Sequence, residues 1–408
     1  MNFAHGDALK LAVAIALSVV VYGTWARYRE RVPSAVLRIV SQGRLHHVAV
    51  GIMVGYACSA GMRGMVDQGV LLVVAFLTTW YAMAFGISID WRILPSVGGQ
   101  WPKREALYLV VLLLVLAVLR FGIESGAALD AGYVLALGGV AAMSWPQMRW
   151  SEKKMRLAGK TWKMPSLGIA VGIVLLGYAG LQLRAGMPIA LSQPFANPLL
   201  LEGAWSRLLC SLGIGAAMGI LIDLATRGVR RHYFPHIVAG GVMCGGGIGA
   251  GIALESVWIG VCIGIWLINT TLHRVSALQL VEESADPLGV GLSVVAGLLL
   301  GLQWASVGIH TALFWFALLL LVGLPAIRLV GGRMAGEPWG GGASGRSPFS
   351  FGDMGLVAAL SLNLSAGAPA AAGLVAAWVV CQAVYALVGE RLSDIVSRPI
   401  RRRPAPSR

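Results

Sequence analysis

Apolar positions in this chain fall into long blocks rather than into the alternating or half-face patterns of a soluble domain, and short polar or Gly/Pro-rich breaks separate them. A helix needs roughly 20 mostly apolar residues to cross a hydrocarbon core. Thirteen blocks approach that length, at 8–25, 46–61, 69–89, 105–123, 128–148, 164–183, 207–225, 234–253, 256–272, 287–304, 309–330, 352–366 and 369–389. The pattern predicts an all-α polytopic membrane protein with about thirteen spans.

Two blocks are irregular. Span 5 contains "VLALGGVAAMSWPQMRW", with Gly138 and Gly139 at its middle and Ser144 and Pro146 near its end. Glycine weakens a helix, and proline removes one backbone donor and clashes with the preceding turn. Broken backbone at membrane depth is tolerated where protein or a wet cavity surrounds it. Span 12, "FGDMGLVAALSLNLSAGAPA", is short, carries Ser361, Asn363 and Ser365, and stops at Gly367 and Pro369. Transporters built from inverted halves carry broken helices at corresponding positions. With halves at residues 1–183 (spans 1 to 6) and 231–389 (spans 8 to 13), joined through 184–230 and followed by a basic tail at 390–408, span 5 corresponds to span 12. The expected architecture is therefore two inverted six-helix repeats with broken crossing helices.

Composition agrees with membrane residence: 57% of the 408 residues are hydrophobic, 12% are charged and the mean hydropathy is +0.76. The net charge of +14 would otherwise suggest nucleic acid. With the amino terminus outside and the carboxyl terminus cytoplasmic, however, every basic residue except Lys10, Arg63, Arg120, Arg184 and Arg207 falls on the inner side. The positive charge is a topology signal that places the chain in the cell inner membrane. The leader "MNFAHGDALK" precedes its apolar stretch without a cleavage signature, so span 1 reads as a retained anchor. Five cysteines without C-x-x-C spacing give neither a disulfide framework nor a metal site. "GGGASGRS" at 340–347 has phosphate-loop spacing but no strand–helix unit to serve it, and reads as a linker. Gly241, Gly245 and Gly249, four apart, predict close helix packing.

Three stretches carry a family likeness: "AMAFGISIDWRIL" with Gly86, Asp90 and Leu94 closing span 3, "LALGGVAAMSWP" in span 5, and "GGGIGAGIALESVWIGVCIGIWLINTTL" over spans 8 and 9. The chain resembles the cation/proton antiporter superfamily, of the thirteen-span, sodium/proton exchanger-like type. The resemblance implies crossed broken helices at spans 5 and 12, a homodimer, and transport of a small cation such as sodium or potassium. It departs at one point: span 6 lacks the aspartate on which family exchangers bind either cation or proton, and no acid lies near the centre of any span. Intramembrane carboxylates usually carry proton coupling. The expectation is thus a secondary transporter without the usual coupling, the alternative being a transport-inactive scaffold or sensor subunit.

The expected pathway residues are Ser144, Pro146, Asp353, Ser361, Asn363 and Ser365, with Asp90 and Asp130 secondary. Oxygen ligands suit hard monovalent cations. Each has a plainer role: Asp353 as an N-terminal helix cap, with Asp130 open to the same reading, Asp90 as an interfacial anchor, and the hydroxyls as groups bonded back to their own helices. His232 and His236 are separated by Pro235, and no metal or other cofactor is expected. Glu282, Glu283 and Asp286 read as a solvated loop, too few for a metal-dependent lipid enzyme. The expected partners are a small cation or solute and the lipid bilayer, not nucleic acid.

Overall fold

The computed structural model describes residues 44–58, 60–92, 109–110, 112–114, 116–117, 131–144, 156–157, 160–161, 167–185, 204–229, 231–251, 254–304, 310–334, 352–364 and 367–397. The chain is a helical membrane protein. Among the described residues eleven α-helices succeed one another: α1 Leu45–Ala57, α2 Ala60–Ile87, α3 Ala131–Met143, α4 Leu167–Ala185, α5 Ala204–Thr226, α6 Phe234–Gly251, α7 Ser256–Thr270, α8 Arg274–Trp304, α9 Thr311–Met334, α10 Asp353–Ser361 and α11 Ala368–Ser397. Among the described residues four segments are long and apolar enough to cross a bilayer, Gly69–Ile87, Trp205–Thr226, Arg274–Trp304 and Ala368–Tyr385. Shorter apolar stretches include Leu45–Ala57, Ala131–Met143, Leu167–Gly180, Ser256–Thr270 and Thr311–Ile327, and α10 has only nine residues. Span 1 lies outside the described residues.

The helices depart from the predicted blocks at several places, α11 among them, which continues to Ser397 through the first part of the predicted tail. Gly138 and Gly139 do not interrupt span 5, since α3 runs through both. In an apolar surrounding the backbone has no water to turn to, so the glycine penalty that applies in solution shrinks. The two glycines instead admit neighbours: a Cβ on Gly139 would sit 3.2 Å from the Gly172 carbonyl oxygen of α4, and one on Gly138 would press on Leu116. The acidic stretch Glu282, Glu283 and Asp286 is not a loop, because α8 begins at Arg274, well before the predicted span. Finally, Arg156–Leu157 pairs antiparallel with Lys160–Thr161, a small strand pair between α3 and α4.

Two helix pairs form the closest backbone approaches. α1 lies parallel to α8: a Cβ on Gly51 would meet the Val294 carbonyl, on Gly55 that of Leu298, on Gly297 that of Val48 and on Gly301 that of Ile52. α2 lies parallel to α7 in the same manner, with Gly260 against the Thr79 carbonyl, Gly264 against Met83 and Gly86 against Val261. Small residues let the backbones touch, and that contact is what holds helices together where lipid is as apolar as the side chains. The two pairs run in opposite directions. Trp80 Nε1 donates to Ser284 Oγ at 3.1 Å, and Asp90, three residues past the end of α2, pairs with Arg274, the first residue of α8. Gly241, Gly245 and Gly249 of α6 likewise abut side chains of α5 and α7, Ile222 and Ile259 among them.

Buried apolar side chains gather in two clusters. One collects Met143, Ile169 and Leu176 with the interior of α9, α10 and α11, and the other joins Met83, Ile87, Ile259, Ile263 and Leu267. The outer face of α5 stays apolar and uncovered, with Trp205, Leu209, Leu221 and Leu224 all exposed. A row of that kind is a liability in water and ordinary in lipid.

Candidate functional site

The last residue of the α3 segment meets the first turn of α10. Ser144 is fully buried, its Oγ donates to the Val140 carbonyl at 2.7 Å, and its own carbonyl accepts the Gly352 N–H at 3.0 Å. Gly355 faces it from α10, where any Cβ would overlap the Ser144 hydroxyl. The two segments singled out by their irregularity are therefore in direct contact, at the end of one and the beginning of the other.

α10 is interrupted soon after it starts. Nine helical residues rise only about 13 Å, and a 3₁₀ turn at Leu362–Leu364 follows. Gly367 then takes φ 86°, a left-handed conformation that glycine adopts at no steric cost, and α11 begins at the next residue. Ser361 is buried and donates to the Ala358 carbonyl at 2.8 Å, while Asn363 sits half-buried in the 3₁₀ turn. Both serines spend their protons on their own helices, yet each oxygen keeps acceptor lone pairs. Pro146, Ser365 and Asp130 lie outside the described residues.

Asp353 does not cap α10. Gly352 holds the cap position without a side-chain bond, and Asp353 is the first helical residue. Its carboxylate goes to Arg44, whose Nη1 donates to Asp353 Oδ2 at 3.1 Å while Nη2 donates to Asp286 Oδ1 at 3.1 Å. One guanidinium thus joins the N-terminal edge of α1 to both α8 and α10. Arg44 adopts φ 52°, a left-handed conformation uncommon for a residue with a Cβ. Its guanidinium lies over Gly289, in space that a side chain there would fill. The Tyr81 hydroxyl of α2 is buried without a hydrogen-bond partner. Tyr81 precedes the end of α2 by six residues, about 9 Å at the α-helical rise.

Neither Arg44 nor Asp286 stood out in the sequence. Arg44 was one of many inner-side charges, and its partner Asp353 is 309 positions away. Asp286 was grouped with a solvated loop.

Asp90 is elsewhere. It is buried at the end of α2, paired with Arg274, and its Oδ1 accepts the Arg92 N–H at 2.9 Å. Asn269 of α7 completes this corner by donating to the Ile89 carbonyl at 3.0 Å and accepting the Trp91 N–H at 3.1 Å. The arrangement fastens α2, α7 and α8 together, which is an anchoring role. It does not touch the α3–α10 junction.

A further buried acid, Glu255, sits in the turn between α6 and α7. It is 5% exposed, its N–H donates to Ser211 Oγ of α5 at 3.3 Å, and its carboxylate lies flat against Gly180 of α4. Its position in the short connection between α6 and α7 hid it, since short loops ordinarily face solvent. The helix that lacks an acid of its own thus receives one from a neighbour.

Histidines serve local ends. His310 Nδ1 accepts the Leu313 N–H at 3.3 Å at the start of α9, and the His273 ring lies 3.1 Å from the Thr226 carbonyl. Among the described residues no group of three or more His, Cys, Asp or Glu side chains is arranged to hold a metal. No family model matches the chain, and no curated protein matches it either.

Proposed function

We propose that the protein is a secondary transporter of the antiporter-like architecture, with thirteen spans in two inverted six-helix repeats, moving a monovalent cation, sodium or potassium, across the cell inner membrane. Its amino terminus is outside and its carboxyl terminus cytoplasmic. The observation that carries this reading is the junction of α3 and α10, where Ser144 and Gly355 touch and the second helix breaks off after nine residues. An interrupted helix that begins against the end of another inside a bundle is the kind of arrangement in which transporters hold ions.

The glycine contacts support the inverted repeat. Gly51, Ile52 and Gly55 of α1 stand at one constant sequence offset from Gly260, Val261 and Gly264 of α7. Thr79, Met83 and Gly86 of α2 stand at another constant offset from Val294, Leu298 and Gly301 of α8. Applying both offsets converts every one of the α1–α8 carbonyl contacts of these residues into its α2–α7 counterpart. The pairs run in opposite directions, as an axis in the membrane plane requires. In this reading spans 2 and 9 are equivalent, as are spans 3 and 10.

The described part of span 6, Leu167–Ala185, carries no carboxylate, and proton coupling of the family kind has no group there. The same observation favours a second reading, a transport-inactive scaffold or sensor subunit. Reconstitution in vesicles separates the two. Sodium, potassium and proton fluxes are followed together from acidic to alkaline pH: cation flux above empty vesicles is the expected result, and its absence for every cation leaves the scaffold.

A further inference from the structure

We propose that Glu255 is the proton-binding residue of this transporter, acting at the seam where α4 meets α5 and α7. The proposal rests on the transporter reading above and adds the group through which such a protein exchanges protons.

Glu255 belongs to the connection between α6 and α7, yet that connection is recessed among its neighbours. Its N–H donates to Ser211 Oγ, on the eighth residue of α5, and its carboxylate rests on Gly180, five residues before the end of α4. At the helical rise these contacts lie about 10 Å and about 8 Å inside the ends of the two helices. Trp205 and Leu209, both earlier in α5 than Ser211, are exposed apolar residues, so the lipid-facing surface extends past the level at which Glu255 is held. Glu255 itself is only 5% exposed. An ionisable side chain enclosed at that level is costly to retain, and such groups mark proton or ion pathways.

Glycine builds the seam. Gly177 and Gly180 are successive notches on one face of α4, the first filled by the Trp258 indole and the second by the Glu255 carboxylate. Trp258 Nε1 is buried and has no hydrogen-bond acceptor. Residues three apart on a helix stand about 5–6 Å apart at Cβ, so this idle donor neighbours a group whose bonding changes with its proton. A carboxylate only accepts; once one oxygen has taken a proton from water, forming an O–H bond and losing the negative charge, the same group donates as well. That change falls directly on the backbone of α4. Further along α4, a Cβ on Gly172 would overlap Met143, the residue before Ser144. One rod therefore touches Glu255 towards one end and the α3–α10 junction towards the other.

Few charged or titratable groups stand on the surrounding elements. Arg207 of α5, whose carbonyl accepts the Ser211 hydroxyl, is one turn from Ser211, and Arg184 is one turn beyond Gly180 on α4. α7 contributes Cys262, set against Gly215 of α5, and the last two turns of α6 contribute none. A glutamate held permanently ionised by a neighbouring cation is the competing outcome.

The full-length protein in lipid vesicles provides the test, by infrared difference spectroscopy between acidic and alkaline buffer. A protonated carboxyl band is expected to appear on acidification in wild type, to be lost in Glu255→Gln and to shift in Glu255→Asp. Identical difference spectra for wild type and E255Q would overturn the proposal, because Glu255 then keeps one charge state throughout. If E255Q does not fold, E255D carries the test, and a band at the wild-type position overturns the proposal. The second readout is cation accumulation driven by an imposed pH gradient, expected in wild type and lost in E255Q. Accumulation that E255Q retains removes Glu255 from the coupling and leaves the transporter reading intact. A titrating Glu255 in vesicles without sodium or potassium flux sustains the proton site and removes the transporter reading, so the two fail separately.

Discussion

Gly180 and Glu255 are in contact: a Cβ at residue 180 would come within 2.9 Å of Glu255 Oε2 and closer still to Oε1. The carboxylate therefore rests on the bare backbone of α4. Gly180→Ala is expected to dislodge it and to cost about 1–3 kcal/mol, the range for overpacking a filled interior. Gly213→Ala on α5, where no atom lies within 4 Å, is the matched control and is expected to be neutral or slightly stabilising. Thermal unfolding in detergent compares them. Equal midpoints for the two variants would mean that Glu255 has room to spare.

The α1–α8 and α2–α7 contacts are backbone against backbone, so no rotamer change relieves an added methyl group. Gly297→Ala and Gly264→Ala are each expected to lower stability by about 1–3 kcal/mol or more. Gly51→Ala combined with Gly297→Ala is expected to cost less than the sum, because one separation of the helices accommodates both. Chemical denaturation of the single and double variants gives the coupling.

Asp90 and Arg274 form an ion pair in which the acid is fully covered and the arginine is 17% exposed. Removing one partner strands the other. Asp90→Asn is expected to destabilise by about 3–5 kcal/mol, while Asp90→Leu with Arg274→Met recovers most of the loss. If D90N and the double replacement unfold at the same temperature, the pair is not what holds this corner.

At the α3–α10 junction the hydroxyl and the space it occupies separate cleanly. Ser144→Ala removes one bond within α3 and is expected to cost about 1 kcal/mol or less, leaving transport near wild type. Gly355→Ala drives a methyl group into Ser144 and is expected to abolish cation flux in vesicles at unchanged expression. The opposite order of effects would place the function in the serine oxygen.

The hydropathy pattern located these helices because a buried or lipid-facing segment must be apolar along its whole length, and α5 and α7 follow it closely. It failed where a helix continues into polar sequence: α8 keeps its hydrogen bonding through Glu282, Glu283 and Asp286, which hydropathy assigns to a loop. It also misjudged Gly138 and Gly139, whose cost in a helix depends on water being available to the backbone. The α3–α10 contact was legible in outline, since two irregular segments at matched positions imply a meeting point. Its chemistry was not. Arg44 and Asp353 are joined only by the fold, and a charge that also serves topology gives no local sign of its partner. Glu255 was hidden for a similar reason, because burial of a turn depends on which helices close over it.

The hydrogen bond from Gly352 to Ser144 has one more implication. The end of α3 has carbonyls in surplus and the start of α10 has amides in surplus, and here one surplus meets the other. Their half-charges cancel across the seam, so the peptide backbone contributes little net field where the two segments touch. Any preference for charge at the seam is therefore set by the side chains around it, and substitution of a handful of them is sufficient to reset it.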